Sequence, residues 1–139
     1  MKGWRVDSLE AELKSLVQSG EVIQLGYLSR TDLAVVIAGA KSLIYPSIYE
    51  GFGLPILEAM YCGVPVITSN VSSLPEVIGD AGILIDPKDV DGLAKQMQLL
   101  FDDGILCANL GVAALKRSYQ FSWNKCAKDT AQIYRAALQ

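Results

Sequence analysis

Apolar residues recur along this chain in two rhythms, one helical and one of short unbroken runs. Leu9, Leu13, Leu16 and Val17 fall on one helical face behind Asp7, with Glu10 completing a capping box and Gly20 as the stop. Glu21 to Leu25 alternates, which predicts a strand, and Gly26-Tyr27 turns the chain. Ser29 caps a helix from about Arg30 to Gly39, with Asp32 in its first turn. That helix is apolar nearly all round, which predicts burial. Ser42 to Tyr45 and Pro65 to Thr68 are short apolar strands, the proline at a first position where its missing N–H costs little. Between them lie a Gly- and Pro-rich turn and a helix ended by Gly63. Leu74 to Ile78 predicts a short helix with Pro75 in its first turn, and Gly82 to Ile85 a strand. Asp89 caps a helix to about Phe101 with Val90, Leu93, Ala94, Met97 and Leu100 on one face. A helix follows from Ile105 to about Tyr119, and then one capped by Ser122 with a stripe of Ala127, Ala131, Tyr134 and Leu138. The order is α-β-α-β-α-β-α-β-α-α-α. Helices alternating with continuously apolar strands predict an α/β fold, a parallel sheet covered by helices on both faces. Four strands make a small sheet of this kind, and the pattern begins with a helix.

Composition narrows the chemistry. At 139 residues the chain is one domain or part of one. A net charge of −3 with interleaved signs lacks the basic stripe that nucleic-acid binding needs. Cys62, Cys107 and Cys126 are odd in number and widely spaced, which argues against a disulfide framework or a zinc site and for small buried hydrophobes in a reducing compartment. The chain contains no histidine, so histidine-based triads and metal ligands are excluded. Catalysis would rest on carboxylates, backbone donors or groups outside the chain. No signal peptide is read at the N-terminus, and the longest apolar run, Leu33 to Ala40, is far short of a membrane span, which together predict a cytoplasmic protein.

The chemistry gathers between Ser42 and Thr68, SLIYPSIYEGFGLPILEAMYCGVPVIT. Gly51 and Gly53 flank Phe52 directly after Glu50, and glycines there let backbone N–H groups approach a ligand without Cβ obstruction. Pro55 suits the helix start, with Gly53 or Leu54 as the cap. The N–H groups of Gly53, Leu54, Ile56 and Leu57 then lie at the positive end of the helix dipole, an anion site suited to a diphosphate. Glu50 precedes this site and Glu58 lies about one turn inside the helix. A carboxylate only accepts hydrogen bonds, so each is suited to vicinal hydroxyls. A phosphate between two sets of hydroxyls describes a sugar nucleotide. The blander alternatives are a solvated loop acid for Glu50 and a dipole-favoured helix acid for Glu58. Asn70, Ser72 and Ser73 follow a strand at the same ligand-facing end, and turn chemistry accounts for Asp80 and Asp86. Trp4, Phe121 and Trp123 are read as packing anchors.

The segment Glu50-Gly-Phe-Gly-Leu-Pro-Ile-Leu-Glu58 resembles the paired-Glu motif of retaining glycosyltransferases of the GT-B fold, especially the group 1 (GT4) family. Gly26-Tyr27-Leu28-Ser29, the stretch from Glu58 to Ile67, Ser73-Leu-Pro-Glu-Val77, Asp80-Ala-Gly82 and Phe121-Ser-Trp123 are similar to that family in order and spacing, so the resemblance covers essentially the whole chain. It implies a Rossmann-like three-layer sheet, the C-terminal, donor-binding lobe of a GT-B enzyme, incomplete at its N-terminus. It implies that Glu50 holds donor-sugar hydroxyls and is the catalytic-site carboxylate of this chain. Gly51, Phe52, Gly53 and Leu54 would meet the sugar and distal phosphate, and Glu58 the ribose. Gly26, Tyr27 and Leu28 would form the nucleobase loop. The implied reaction is metal-independent, retaining transfer from an NDP-sugar to a hydroxyl acceptor, with no cofactor.

Two departures qualify this expectation. The family's N-terminal acceptor lobe is not in these residues, nor is the Arg/Lys strand–helix segment that neutralises the donor diphosphate; Arg5 and Lys14 lie on the wrong element. The expected consequence is weak donor binding and no turnover by this chain alone, with exposed apolar faces and a sheet edge favouring self-association. The competing readings are a non-catalytic sugar-nucleotide-binding or interaction module and an NDP-sugar epimerase or phosphorylase relative. Ser72 to Asp80 resembles mannosyltransferases, which leans to GDP-mannose, with UDP-glucose and UDP-N-acetylglucosamine open. The full-length enzyme could sit at a membrane periphery.

Overall fold

The computed structural model describes residues 7–138 of the chain, so Trp4 and Arg5 lie outside the described residues. Two compact units are formed, Met1–Asp32 and Leu33–Gln139, each taken by itself below.

In the first unit, helix α1 spans Asp7–Gln18, with Leu13 and Leu16 half-buried. Asp7, expected as its cap, is already helical. The strand expected over Glu21 to Leu25 does not form. The N–H groups of Glu21 and Val22 instead donate to the Leu16 carbonyl at 3.0 and 3.1 Å, closing the end of α1. Donors used in a helix cap are not available for a ladder, and Ile23, 78 % exposed, has no buried face to give the alternation meaning. Ser29 caps α2, Arg30–Ala38, as expected: its Oγ accepts from the Asp32 N–H at 3.2 Å and donates to the Asp32 carboxylate at 2.6 Å.

The second unit holds the sheet. Strands β1 (Leu43–Tyr45), β2 (Val66–Ser69) and β3 (Ile83–Ile85) pair in parallel in the order β1-β2-β3, so three of the four expected strands form. The register places Tyr45 opposite Thr68, and Thr68 opposite Leu84. Pro65 stands just before β2 and adds its carbonyl to the ladder, accepting from Leu43 N–H at 2.8 Å. Strand β2 is central and wholly buried. Its alternation serves both faces: Val66 joins Ile56, Met60, Leu74 and Ile78 from helices α3 (Leu54–Tyr61) and α4 (Leu74–Ile78). Ile67 joins Ile85 and Leu100 beneath helices α5 (Val90–Asp102) and α6 (Gly104–Ser118). The three-layer α/β arrangement is therefore the expected one.

Caps follow the sequence closely here. Asp89 Oδ1 accepts from Gly92 N–H at 2.8 Å, and Asp103 Oδ1 from Ile105 and Leu106 N–H at 3.0 and 2.8 Å. Ser122 Oγ accepts from Lys125 N–H at 3.1 Å at the start of α7, Trp123–Ala137.

Burial departs from expectation in four places. Helix α2 has no buried residue, and Val35 is 68 % exposed; only its Ile37 packs on the core. An all-apolar helix is buried only if neighbours cover every side, and among the described residues one side alone is covered. Helix α7 likewise buries nothing: its stripe of Tyr134 and Leu138 is exposed. Trp123, expected as a packing anchor, is 82 % exposed because it opens a helix that has no buried residue among the described ones; Phe121 does pack on the core. Cys62 and Cys126 are exposed rather than buried, each on a helix end or helix face turned to solvent, while Cys107 is half-buried with its Sγ 3.4 Å from the Lys41 carbonyl. Among the described residues no single helix is long and apolar enough to cross a membrane.

Candidate functional site

Parallel strands deliver their C-terminal ends to one edge of the sheet, and two loops meet there. The loop after β1 carries Glu50 to Gly53; the loop after β2 carries Asn70 to Ser73. They are stitched together at Glu50. Its N–H donates to Ser72 Oγ at 3.1 Å, and its carbonyl accepts from Ser73 Oγ at 2.9 Å. Ser72 has φ 53°, a left-handed conformation that a non-glycine residue adopts at a cost of about 1–2 kcal/mol. Ser73 caps α4 by position only, since its hydroxyl is spent on Glu50.

The Glu50 side chain is fixed as firmly as its backbone. Oε1 accepts from Tyr45 Oη at 2.7 Å and from Ser47 Oγ at 3.0 Å. Oε2 accepts no hydrogen bond from the described residues, and the residue is half-buried. The hydrogen bond to Glu50 holds the Tyr45 phenol above its ordinary value near 10.0, with smaller upward contributions from burial and the Glu50 charge and a downward one from Ser47. Tyr45 is itself anchored: its ring packs on the core, and its carbonyl accepts from the buried Thr68 Oγ1 at 2.8 Å.

After Glu50 the chain passes Gly51 and Phe52 into the start of α3. Gly53 is the N-cap at φ 97°, with a Cβ position 2.7 Å from Leu74 Cδ2, so both backbone and packing demand glycine there. Gly51 differs: its φ lies outside the left-handed range and nothing comes within 4 Å of its Cβ position. The fold does not require that glycine. Phe52 meets Phe121 edge-on, centroids 5.9 Å apart, and the Arg117 guanidinium lies 5.9 Å from the Phe121 ring. Tyr61 Oη donates to the Phe121 carbonyl, which ties α3 to the same brace.

Of the four N–H groups expected to face an anion, two do not. Ile56 and Leu57 donate to the Gly53 carbonyl at 3.1 and 3.3 Å, because the first helical turn closes on its own cap. Those of Gly53 and Leu54 have no acceptor among the described residues, and the same holds for Gly51 and Phe52. The open donors are thus the consecutive run of residues 51–54, which begins two residues before the set expected from the helix start. Pro55 follows Leu54 as the second helical residue, where its missing N–H costs no helix bond. Glu58 is exposed on α3 and its carboxylate has no partner among the described residues. Gly26, Tyr27 and Leu28 belong to the first unit, with Tyr27 fully exposed. Surface concavities lined by Met97 and Phe101, and by Asp80 and Lys116, lie away from this strand end. No cluster of three acidic or thiol ligands that could hold a metal occurs among the described residues.

Sequence reasoning missed Tyr45 and Ser47. The signal was a polar residue closing an apolar strand with a hydroxyl two residues on, in YPSIYE. It also left Ser72 and Ser73 as mere loop neighbours of the site, because only folding shows that they bind the Glu50 backbone.

The profile described as "Glycosyl transferases group 1" matches residues 2–117. O-antigen chain mannosyltransferase B of Escherichia coli is 46 % identical over 137 residues, 96 % of this chain and 35 % of that protein. The serotype-specific mannosyltransferase WbdA of Escherichia coli is 37 % identical over 119 residues, covering 86 % of this chain and 15 % of its own length. The solved structure of a sucrose-phosphate synthase from Thermosynechococcus elongatus superposes with a TM-score of 0.78 at 32 % identity, over 94 % of this chain and 35 % of that one. The chain thus spans about a third or less of the relatives it matches, and its parallel α/β sheet is that of GT-B glycosyltransferases. A match along residues 2–117 makes the chain a member of the group 1 glycosyl transferases.

Proposed function

We propose that this chain is donor-binding machinery of a retaining, metal-independent glycosyltransferase that uses an NDP-sugar and a hydroxyl acceptor. One observation carries the reading: among the described residues, the N–H groups of residues 51–54 have no acceptor, and they directly follow Glu50, whose carboxylate is bonded through one oxygen only. Backbone donors at the positive end of α3 suit the distal phosphate. Glu50 Oε2 suits hydroxyls of the donor sugar, and Glu58, about one turn further along α3, suits those of the ribose. Gly26, Tyr27 and Leu28 would receive the nucleobase through main-chain contacts. The donor lean is to GDP-mannose, supported by the mannosyltransferase names of two relatives.

The acceptor lobe and the cationic pair for the diphosphate would be supplied from outside these residues. Helix-end donors each contribute only about 0.3–1 kcal/mol at an exposed site. The chain alone should therefore bind donor weakly and show no turnover. Saturation-transfer NMR with GDP-mannose, UDP-glucose and UDP-N-acetylglucosamine tests the site. Glu50→Ala should remove the sugar-proton signals and Glu58→Ala the ribose signals. Unchanged profiles in both variants would overturn the assignment.

A further inference from the structure

Glu50 is presented as a half-occupied carboxylate, and the residue responsible for most of that is not in the paired-Glu motif. A carboxylate offers about four lone-pair sites, two on each oxygen. Tyr45 Oη and Ser47 Oγ take both sites on Oε1, at 2.7 and 3.0 Å. Oε2 keeps its own. Three further features argue that this orientation is built rather than incidental. Tyr45 is the last residue of β1, so its position is set by the sheet register against Thr68. Its carbonyl is held by a buried hydroxyl. The Glu50 backbone is clamped on both its N–H and its carbonyl, the former by a serine in a left-handed conformation. A flexible three-torsion side chain is thereby ordered before any ligand arrives, which removes an ordering cost from binding.

We infer that Tyr45, assisted by Ser47, is a positioning residue for the donor sugar: it saturates one oxygen of Glu50 and directs the other to the sugar hydroxyls. The inference rests on the donor-site reading above and deepens it. It means that Glu50 grips the sugar through one oxygen, not as a two-oxygen clamp. It also means that loss of the Tyr45 hydroxyl harms the sugar contact and spares the nucleotide contact. The raised phenol value of Tyr45 agrees with a protonated donor facing an ionised acceptor.

The test compares NDP-sugar with NDP on the whole chain by ligand-observed NMR titration, using GDP-mannose against GDP and UDP-glucose against UDP. Tyr45→Phe should weaken the preferred NDP-sugar about three- to tenfold, the cost of ordering one freed side chain on binding, and leave the matching NDP within about twofold. Ser47→Ala should show the same split, smaller. Glu50→Gln serves as the reference and should show it most strongly. Amide correlation spectra of each variant establish that it folds. Equal loss of NDP and NDP-sugar in Tyr45→Phe makes its role structural and overturns the inference. No loss in Tyr45→Phe while Glu50→Gln discriminates overturns the inference and leaves the donor site standing. Failure of Glu50→Gln to discriminate, or of both pairs to bind, overturns the donor-site reading and the inference together.

Discussion

Gly51 and Gly53 stand two residues apart in one loop, and alanine should act on them in opposite ways. At Gly53 the backbone has φ 97° and a new Cβ would lie 2.7 Å from Leu74 Cδ2 and 3.4 Å from Ile56 Cγ1 and Cδ1. Both neighbours are fully buried, so neither can swing into solvent. The left-handed backbone costs an alanine about 1–2 kcal/mol, and forcing a methyl into a packed core costs about 1–3 kcal/mol. Because the two strains relax partly together, Gly53→Ala should lose about 2–4 kcal/mol. For a domain of this size that is a fall in Tm of roughly 8–15 °C. At Gly51 neither cost exists: nothing lies within 4 Å of the added methyl and φ is ordinary. Gly51→Ala should change stability by less than about 1 kcal/mol, in either direction. Its methyl would instead stand beside the N–H groups of residues 51–54, which have no acceptor among the described residues and which the donor phosphate and sugar are proposed to approach. Thermal unfolding by circular dichroism, paired with NDP-sugar titration, separates the two. A Tm for Gly53→Ala within 2 °C of wild type, or full donor affinity in Gly51→Ala, would refute the reasoning.

Arg117 donates to the carbonyls of Glu76 and Val77 at 2.6 and 2.7 Å and lies over Phe121, so Arg117→Ala should cost about 1–3 kcal/mol, measured by denaturant unfolding. Tyr45 has its phenol raised in the fold, so the stability it contributes is fully present below its unfolded value near 10.0 and is lost as pH rises through the higher folded value. Glu50→Gln removes the charged acceptor, and the Tyr45 titration, followed by tyrosine carbon NMR, should then move down. The apolar face of α2 bears Leu33, Val35 and Val36 in solvent; static light scattering should show concentration-dependent self-association, reduced by Val35→Lys, and a monomer at every concentration would count against it.

What was legible in the sequence was whatever a few neighbouring residues decide. Caps at Ser29, Asp89 and Ser122 form because a side-chain oxygen and the N–H it serves are three residues apart. Strands β1, β2 and β3 are unbroken apolar runs bounded by turns, and they form where expected. The misses share a cause of the opposite kind. Glu21 to Leu25 has a strand's alternation, and α2 and α7 have apolar positions suited to burial. Alternation needs a partner strand, and apolar residues need a covering layer. Neither partner is among the described residues, so the same pattern gives a helix cap at Glu21 and exposed valines on α2.

The two glutamates show where pattern stops and geometry begins. By residue type alone Glu50 and Glu58 are alike, one just ahead of a helix start and the other about one turn inside it. In the structure they are not. Glu50 is held by four hydroxyls, Tyr45 at the end of β1, Ser47 in the loop after it, and Ser72 and Ser73 in the loop after β2. Glu58 is exposed and held by none among the described residues. These bonds already order Glu50, while a Glu58 that holds the ribose, as proposed, would lose its rotamer freedom on binding, at a cost of about 1.5–2 kcal/mol. On the donor-site reading, the sugar end of the pocket is therefore preorganised and the ribose end is not. Stiffening the Glu58 side would raise donor affinity, whereas added contacts at Glu50 would find that oxygen Oε1 already saturated.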